Sequence, residues 1–490
     1  MIQSGHDTQG AVYDWYVSWS NSEDSEQTNP AGFPADILLD LDRSARSGLA
    51  AQLQHQLRTA IQQGRLAEGT LLPASRILAQ QLGVSRSVVV AAYENLTADG
   101  YLTGQQGSGT RVRQSGHTVP PPQPAVRAGK AIRLIGGLPD PALFPRAEWL
   151  RHYRAALNTV PNDDLSYPGP LGAAELRQTL TDYLARVRGV ATSAEYVQVT
   201  TGITQAVALL VRALRARGDR TIAVEDPCFG FHRDAITNAG LVAVPVPVDD
   251  DGLDVEILAD LDADAVLVAP AHSYPTGVVL SPSRRAALIA WALRRQALII
   301  EDDYDAEFRY DKRPIGALQG LAPDLVAYTG CASKTLTPAL RLGWITVPPW
   351  LIHDMTQQKL YDDMGSTLLE QLAFARFVSN GGMARHLRRV RPTYRRRRDA
   401  LLAALAVWFP GTNPTGIAAG LHLHLQLPDH CDEDAMVDAA FHRGVLVGGA
   451  RWNWADPSTA RPALVIGYGS ATESDIGRAV AVLGSLADLR

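Results

Sequence analysis

The sequence predicts an α/β protein with two unlike parts, a small helical module near the N-terminus and a large body built on a mostly parallel sheet. Three observations predict this. Short helices with clear start and stop residues fill the region 36–113. A run rich in proline follows them. From about residue 131 onward, short β-branched runs alternate with helical segments, which is typical of a doubly wound sheet.

The N-terminal module has the start and stop signals of helices joined by tight turns. A periodic segment over 49–63 precedes a helix predicted over 76–82 and another over 86–99, and a glycine follows each of the three. Ser75 and Ser85 are the predicted N-caps of the last two helices. Two helices joined by a short turn form a helix-turn-helix, whose second helix enters the major groove of DNA N-terminus first.

A glycine-rich hairpin predicted over 101–113 completes a winged helix-turn-helix. Its tip is small enough to approach a phosphate backbone closely, and Arg111 and Arg113 flank that tip. At the start of the second helix, Arg86 and Ser87 would meet base edges or phosphates. The alternative is an ordinary three-helix module without DNA contacts. The predicted tip consists of Gly107, Ser108 and Gly109.

The charge of the chain is unevenly distributed. The net charge is −5, yet residues 40–115 hold eight arginines against five acids, whereas residues 1–39 hold six acids and neither lysine nor arginine. A small basic module in an acidic chain favours a DNA-binding head on a body that does not bind DNA.

These patterns predict four segments and a subdivision. We expect a mobile acidic arm at 1–35, a winged helix-turn-helix at 36–113 and a proline-rich linker at 114–130 that acts as a semi-rigid spacer. The body at 131–490 then includes a smaller C-terminal α+β subdomain from about 375 to 490.

Composition excludes several classes of protein. The three cysteines form no CxxC pair, so we predict neither a disulfide framework nor a metal site, and a reducing cytoplasm, at the nucleoid, as the location. No apolar run is long enough to span a bilayer. The acidic N-terminus is not expected to be a secretory signal.

The body carries a lysine and a set of acids in a suggestive order. Lys334 follows a predicted strand at 325–328, and Glu301 to Asp303 follow another at 298–300. Carboxylates at the carboxyl edge of such a sheet lie where ligands bind. Pyridoxal 5'-phosphate (PLP) needs a lysine for a Schiff base and an acid at its ring nitrogen. Asp302 and Tyr304, two residues apart, would point to the same side, with Asp303 as the alternative acid.

Three further features suit the same cofactor. The segment 200–204 (TTGIT) follows a strand and opens a helix, which is the arrangement that binds phosphate. Arg341 can complete that site as a bidentate donor. Phe229 can stack on a pyridine ring. Each feature alone has a structural explanation, and the case depends on their order along the chain.

Both parts resemble known families. Residues 72–86 (LPASRILAQQLGVSR), AYENL at 92–96 and the wing closely resemble the winged helix of the GntR family. The body resembles fold-type I PLP enzymes of the aspartate aminotransferase class, and more closely the MocR (GabR-like) regulators, which join a GntR head to such a body. The body motifs are GLPDPALFP at 137–145, YPGPLGAAELR at 167–177, PAHSYPTG at 270–277, EDDYDAEFRY at 301–310 and SKTLTPALRLG at 333–343.

The resemblance implies a role for each of these residues. In the head, Arg76, Arg86 and the wing tip would face DNA. In the body, Lys334 would form the Schiff base with PLP, and His272 would lie close to the ring or be a structural histidine. The remaining cofactor contacts implied are Asp302 at the ring nitrogen, Tyr304 at the 3'-oxygen, Thr201, Gly202 and Arg341 at the phosphate, Phe229 in the stack, and Tyr167 reaching a partner subunit's cofactor.

Some positions depart from the family pattern or are ambiguous. Cys331 stands where a threonine or serine phosphate ligand is common, and the NPTG at 413–416 is interpreted as a coincidence. Arg461 is the candidate for binding an effector's carboxylate and Arg451 the second, with a surface ion pair as the alternative for both. Eight arginines within 385–398 form either a solvated or salt-bridged helix face or an auxiliary DNA contact.

The sequence therefore predicts a homodimeric PLP-dependent transcriptional regulator that binds double-stranded operator DNA with repeated half-sites. PLP, or its adduct with an amino acid, is the expected effector of an aminotransferase-like sensing domain. The alternative is a working aminotransferase with an accessory DNA-binding head, and a residual transamination half-reaction is compatible with either hypothesis.

Overall fold

A computed structural model of the chain describes residues 39, 41–43, 47–105, 109–113, 131–310, 315–412 and 414–487. The chain divides into two compact units, the head (Met1–Arg127) and the body (Ala128–Arg490). The predicted arm at 1–35 and linker at 114–130 lie outside the described residues. No helix in the described ranges has the length and hydrophobicity to cross a membrane.

The head is a three-helix module with a small antiparallel sheet of strand order β1-β3-β2. Leucines at helical spacing make its core: Leu53 and Leu57 of the first helix are fully buried, as is Leu96 of the third. The predicted helix-turn-helix and wing are thus present. The elements are α1 (Leu49–Gln62), β1 (Leu71–Leu72), α2 (Ser75–Leu82), α3 (Arg86–Ala98), β2 (Leu102–Gln105) and β3 (Gly109–Val112).

The predicted N-cap position of α3 is confirmed as Ser85, whereas that of α2 is wrong by one residue. The N-cap of α2 is Ala74, and Ser75 is already its first helical residue. Ser85 does precede α3, but its side chain makes no capping hydrogen bond and instead lies 2.8 Å from the Ser87 hydroxyl. The start of α3 therefore keeps its backbone N–H groups free of a side-chain cap.

The centre of the body is an eight-stranded sheet of order β5-β12-β11-β10-β9-β6-β7-β8. Strands β7, β6, β9, β10 and β11 pair in parallel, and β12 pairs antiparallel with both β11 and β5. This is the mostly parallel sheet that the alternating pattern predicts. Its strands are β5 (Val197–Thr200), β6 (Thr221–Asp226), β7 (Val242–Asp249), β8 (Gly252–Leu253), β9 (Ala265–Val268), β10 (Leu298–Asp303), β11 (Val326–Cys331) and β12 (Gly343–Thr346).

Helices cover this sheet through two apolar layers of buried aliphatic side chains. The α-helices of the body are α4 (Arg146–Thr159), α5 (Ala174–Arg188), α6 (Ile203–Arg217), α7 (Gly230–Asn238), α8 (Val255–Asp260), α9 (Pro282–Arg295), α10 (Ile352–Asp363), α11 (Leu368–Ser379), α12 (Gly382–Trp408), α13 (Glu433–His442) and α14 (Glu473–Gly484).

A second, four-stranded sheet of order β13-β15-β14-β4 lies in the same unit. Three of its strands come from the C-terminal part, where a smaller subdomain is expected. The fourth, β4 (Ile132–Leu134), comes from the start of the body and pairs in parallel with β14. The C-terminal strands are β13 (His422–Gln426), β14 (Val445–Gly449) and β15 (Ala463–Gly467).

Strand direction brings the motifs of the body to one edge. Because β12 is antiparallel to both of its neighbours, β5 runs in the same direction as β11, and their carboxyl ends meet. Segments that follow β5, β6, β9, β10 and β11, and the one that precedes β12, therefore converge. These segments contain the predicted phosphate loop, aromatic residue, histidine, lysine and arginine. The acids of 301–303, predicted to follow a strand ending at 300, instead form the last three residues of β10 at the same edge.

Candidate functional site

Lys334 lies three residues beyond β11, half-buried, beside a glycine of a distant segment. A Cβ atom built on Gly137 would lie 3.0 Å from the Lys334 ammonium nitrogen, so a glycine there leaves room for the lysine. The chain has four lysines, of which Lys130 and Lys312 lie outside the described residues. Lys359 is fully buried with its ammonium bound by three acceptors. Of the two described lysines, only Lys334 is not held by three acceptors in a fully buried position.

Asp302 is a buried acid with one oxygen that accepts no hydrogen bond from the described residues. Its Oδ1 atom has no hydrogen-bond partner among the described residues, and its Oδ2 lies 3.6 Å from Nε2 of His232. Burial, followed by the nearby carboxylates of Asp303 and Asp305, raises the pKa of Asp302 to about 8, although Lys334 opposes this. A cationic ring nitrogen is the kind of group that such an acid would bind.

Asp303, the alternative acid, points the other way along β10, and one of its oxygens is bound by an arginine and a tyrosine, although its Oδ1 has no hydrogen-bond partner among the described residues. Its Oδ2 accepts hydrogen bonds from Nε of Arg188 at 2.7 Å and from the Tyr328 hydroxyl at 2.6 Å. Both side chains of the ion pair are almost completely buried. Asp303 is therefore neutralised by an arginine at hydrogen-bond distance, whereas the nearest ion-pair partner of Asp302 is the imidazole of His232 at 3.6 Å.

Tyr304 and His272 contact each other near the same edge. The Tyr304 hydroxyl lies 3.1 Å from Nδ1 of His272, and that nitrogen is also 3.0 Å from the Asp305 carboxylate. Tyr304 also lies near Asp302. Burial raises the pKa of the Tyr304 hydroxyl, and the carboxylates of Asp305 and Asp302 raise it further.

The predicted phosphate loop is a helix N-terminus with a cation beside it. Gly202 caps α6 with φ of 143°, which an L-residue rarely adopts. A Cβ on Gly202 would lie 3.6 Å from a guanidinium nitrogen of Arg341. The backbone N–H of Thr201 donates to the side-chain oxygen of Gln205 at 2.9 Å. An anion at this loop would meet N–H groups, the helix dipole and Arg341 together.

Phe229 belongs to an aromatic cluster. Its ring centroid lies 5.6 Å from that of Tyr274 and 5.9 Å from that of Trp452, both edge-on. His232, three residues further along the chain, is also edge-on to Phe229 at 5.5 Å. The nearest ring, that of Phe231 at 5.0 Å, is tilted by 38°, and none of these four rings stacks in parallel on Phe229.

Two predicted residues are not brought to this group. Tyr167 is 78% exposed. The side chain of Arg461 is 72% exposed and lies 3.9 Å from Asp429, which is the surface ion-pair alternative. Arg451, the second candidate, lies 3.7 Å from Asp434.

Most of the arginine run on α12 is bound within the body. Arg397 pairs with Asp140 at 2.7 Å, and Arg385 pairs with Glu148 at 2.5 Å. Arg391 donates to the Glu307 carbonyl oxygen. These contacts fit the salt-bridged alternative better than a DNA-binding surface.

In the head, the residues predicted to face DNA are exposed. Arg76, Arg86 and Ser87 are solvent-accessible at the start of α2 and α3. Gly109 begins β3 with φ of 83°, and Gly107 and Ser108 lie outside the described residues.

Sequence reasoning missed three residues of the site, His232, Tyr274 and Trp452. His232 lies three positions after Phe229 in the first turn of α7, so helical spacing could have shown that the two share a face. Burial lowers the pKa of His232 to about 4, which keeps the imidazole neutral beside Asp302. No local signal identifies Trp452, because it reaches Phe229 from a loop more than two hundred residues away.

The raised pKa of Asp302 predicts a pH effect on stability. Without cofactor, native Asp302 retains a proton up to about pH 8, whereas an unfolded aspartate releases it near its ordinary value of about 3.9. Because the native carboxyl holds its proton more tightly than the unfolded one, it stabilises the native state at low pH. That stabilisation is lost as the pH rises, by up to about 1.4 kcal/mol per pH unit. We expect the unfolding free energy of the wild type to fall relative to that of Asp302→Asn between pH 5 and pH 8, as measured by urea denaturation. The exposed Asp262→Asn is the control, and parallel curves for wild type and Asp302→Asn would contradict the assignment.

Comparison with known proteins agrees with both parts. Residues 49–112 match the gntR family of bacterial regulatory proteins, and residues 151–449 match the aminotransferase class I and II family. The pyridoxine biosynthesis transcriptional regulator PdxR of Corynebacterium glutamicum is 32% identical, covering 90% of this chain and 96% of that protein. The probable rhizopine catabolism regulatory protein MocR of Rhizobium meliloti is 32% identical, covering 83% of this chain and 87% of that protein. The chain belongs to the MocR-type GntR regulators.

Solved structures similar to this MocR-type regulator are aminotransferases. Kynurenine aminotransferase of Pyrococcus horikoshii superposes with a TM-score of 0.67 at 26% identity, covering 73% of this chain and 91% of its own. The multiple substrate aminotransferase of Thermococcus profundus superposes with a TM-score of 0.68 at 25% sequence identity, covering 74% of this chain and 92% of its own. The predicted fold class is confirmed: a GntR helix-turn-helix precedes a fold-type I aminotransferase domain. This MocR-type protein is a transcriptional regulator, and its family implies PLP binding.

Proposed function

We propose that this regulator binds PLP at Lys334 and that PLP, or its adduct with an amino acid, is the effector that changes DNA binding. The observation that carries the proposal is the buried Asp302 carboxylate, which has one oxygen without a hydrogen-bond partner among the described residues and lies close to Lys334. Among the residues described, this pair supplies what PLP needs at opposite ends of its ring, an amine and an acid.

The surrounding residues fit the rest of the cofactor. Asp302 would hold the ring nitrogen and Tyr304 the 3'-oxygen, while Phe229 would stack on the ring. Gly202, Thr201 and Arg341 would bind the phosphate, and Thr201 would exchange its hydrogen bond to Gln205 for one to the phosphate. When bound, PLP offers an aldehyde that forms imines with amino groups, which would allow the site to sense an amino acid as well as the vitamin.

The name of the relative from Corynebacterium glutamicum supports a vitamin B6 compound as the effector. Arg461 faces solvent and Asp429, so it does not provide a carboxylate site beside Lys334. This arrangement favours sensing over turnover of amino acids. The likeness to aminotransferases supports the alternative hypothesis, a residual transamination half-reaction. We propose a location in the cytoplasm at the nucleoid, where operator DNA is bound.

A homodimer is part of the proposal. Tyr167 and Leu165 are exposed, and so are Tyr361 and Met364. The two segments adjoin, since a Cβ on Gly365 would lie 2.4 Å from the carbonyl oxygen of Gly169. Exposed aromatic and apolar side chains in one area are typical of a protein interface. A second copy on this area would bring Tyr167 to the partner's cofactor and would place two heads on repeated half-sites.

The DNA-binding role of the head predicts a large effect of Arg86→Ala. The exposed guanidinium at the start of α3 would contact a base or phosphate, and its loss should weaken binding to the gene's own upstream region by about 1–3 kcal/mol. Fluorescence anisotropy at several salt concentrations measures this. Arg65→Ala, which removes another exposed arginine of the head between α1 and β1, is the matched control. Equal affinity of the wild type for the upstream region and for random DNA would refute operator recognition.

A further inference from the structure

Three buried side chains, His272, Asp305 and His422, converge at the boundary between the two sheets of the body. His272 follows β9 and Asp305 follows β10 of the large sheet, whereas His422 begins β13 of the smaller one. One nitrogen or oxygen atom of each lies within 4.8 Å of those of the other two. All three side chains are at most 3% exposed.

The lone pair of His422 is available for a ligand. Its Nε2 lies 3.2 Å from the carbonyl oxygen of Pro275, which can only accept, so the ring proton is on Nε2. Its Nδ1 then carries a lone pair, and that atom is buried with no hydrogen-bond partner in the described part of the chain. Histidine ligands of metals commonly donate their second nitrogen to a backbone carbonyl in this way.

The other two members have more acceptors than donors. Nδ1 of His272 lies 3.0 and 3.1 Å from the two oxygens of Asp305, but one ring nitrogen can donate only one hydrogen; the Tyr304 hydroxyl, 3.1 Å from the same nitrogen, can donate or accept. The Asp305 carboxylate has no other hydrogen bond among those found in the described residues. A cation would satisfy these oxygens and the His422 lone pair together.

We propose that His272, Asp305 and His422 bind a divalent transition metal of the zinc class. Two imidazoles and a carboxylate suit zinc, cobalt or nickel rather than magnesium or calcium, which prefer oxygen ligands alone. Three protein ligands leave a fourth position for water. Because the ligands come from both sheets, the metal would join the two parts of the body. The chain would then respond to metal as well as to its effector.

The test is a cobalt titration of the full-length chain, freed of PLP so that cobalt absorbance is not obscured. We expect one Co²⁺ per chain, with visible bands of a low-coordinate site that one equivalent of Zn²⁺ removes. His422→Ala and Asp305→Asn should each weaken binding at least about 100-fold, beyond the 10–100-fold typical of residues one shell further out. His424→Ala removes the other buried histidine of β13, whose Nδ1 lies 3.0 Å from Thr415, and should bind cobalt like the wild type.

Absence of binding at millimolar Co²⁺ and Zn²⁺ would overturn the proposal, as would stoichiometric binding that both His422→Ala and the less disruptive His422→Gln leave unchanged. Circular dichroism and urea unfolding establish that each variant is folded before its metal affinity is compared with that of the wild type. The outcome is separable from the proposed effector function, because PLP attachment at Lys334 is read from the protein's own visible band after PLP is added back.

Discussion

Replacing Lys334 with alanine is expected to abolish the covalent attachment of PLP completely. The wild type should gain a visible absorbance band when PLP is added, and it should retain this band through gel filtration. In Lys334→Ala no other described lysine can substitute, since the Lys359 ammonium is held by Gln205, Asp363 and Ser366 in a fully buried position. Absorbance spectra before and after filtration measure the effect.

Two controls separate attachment from folding. Lys334→Arg keeps a cation at the site but cannot form the imine, so it should also remain colourless while unfolding like the wild type. Lys130→Ala should be as coloured as the wild type. Borohydride reduction followed by peptide mass analysis identifies the modified residue directly, and modification of any lysine other than Lys334 would show that the site is misassigned.

The second large effect concerns the buried ion pair between Arg188 and Asp303, the last residue of β10. Arg188 donates to Asp303 at 2.7 Å and to the Ile315 carbonyl oxygen, with its side chain only 3% exposed. Arg188→Met would leave the Asp303 carboxylate buried without its cation, which typically costs about 3–5 kcal/mol. We expect a loss of this size in the unfolding free energy of the body, measured by urea denaturation.

The control for this loss is an exposed pair of the same chemistry. Arg295 pairs with Asp262, whose side chain is fully exposed, so Arg295→Met should cost less than about 1 kcal/mol. The double variant Arg188→Met, Asp303→Leu should recover part of the lost stability, because no charge then remains buried. Equal losses for Arg188→Met and Arg295→Met would mean that burial of the pair contributes nothing.

The large sheet was predictable because its strands carry their own signal. Buried parallel strands are continuous apolar runs, and β9 (AVLV) and the first half of β10 (LII) stand out as such between amphipathic helices. The strands β4 and β12 were not predicted. β4 is only three residues long, and it is stabilised by pairing with β14, more than three hundred residues away, which no local pattern reveals.

The site was predictable where its residues lie at the ends of strands. It was less predictable where tertiary packing decides which residues come together. Asp302, Lys334 and the phosphate loop converge because their strands run in the same direction. Alternation gives the direction of a side chain only within a strand, and Arg461, which lies just before β15, faces solvent. Likewise, the metal candidate joins three residues far apart in sequence, whereas the cysteine pattern alone predicted no metal.

The central claim is that the state of the Lys334 site changes the affinity of the head for DNA. It is tested most directly by measuring the affinity of the full-length chain for its own upstream region with and without saturating PLP, at fixed salt, for the wild type and for Lys334→Ala. We predict a change of at least about fivefold in the wild type, within the usual range of allosteric coupling, and none in the variant. An unchanged affinity in a wild type that demonstrably carries PLP would contradict the claim.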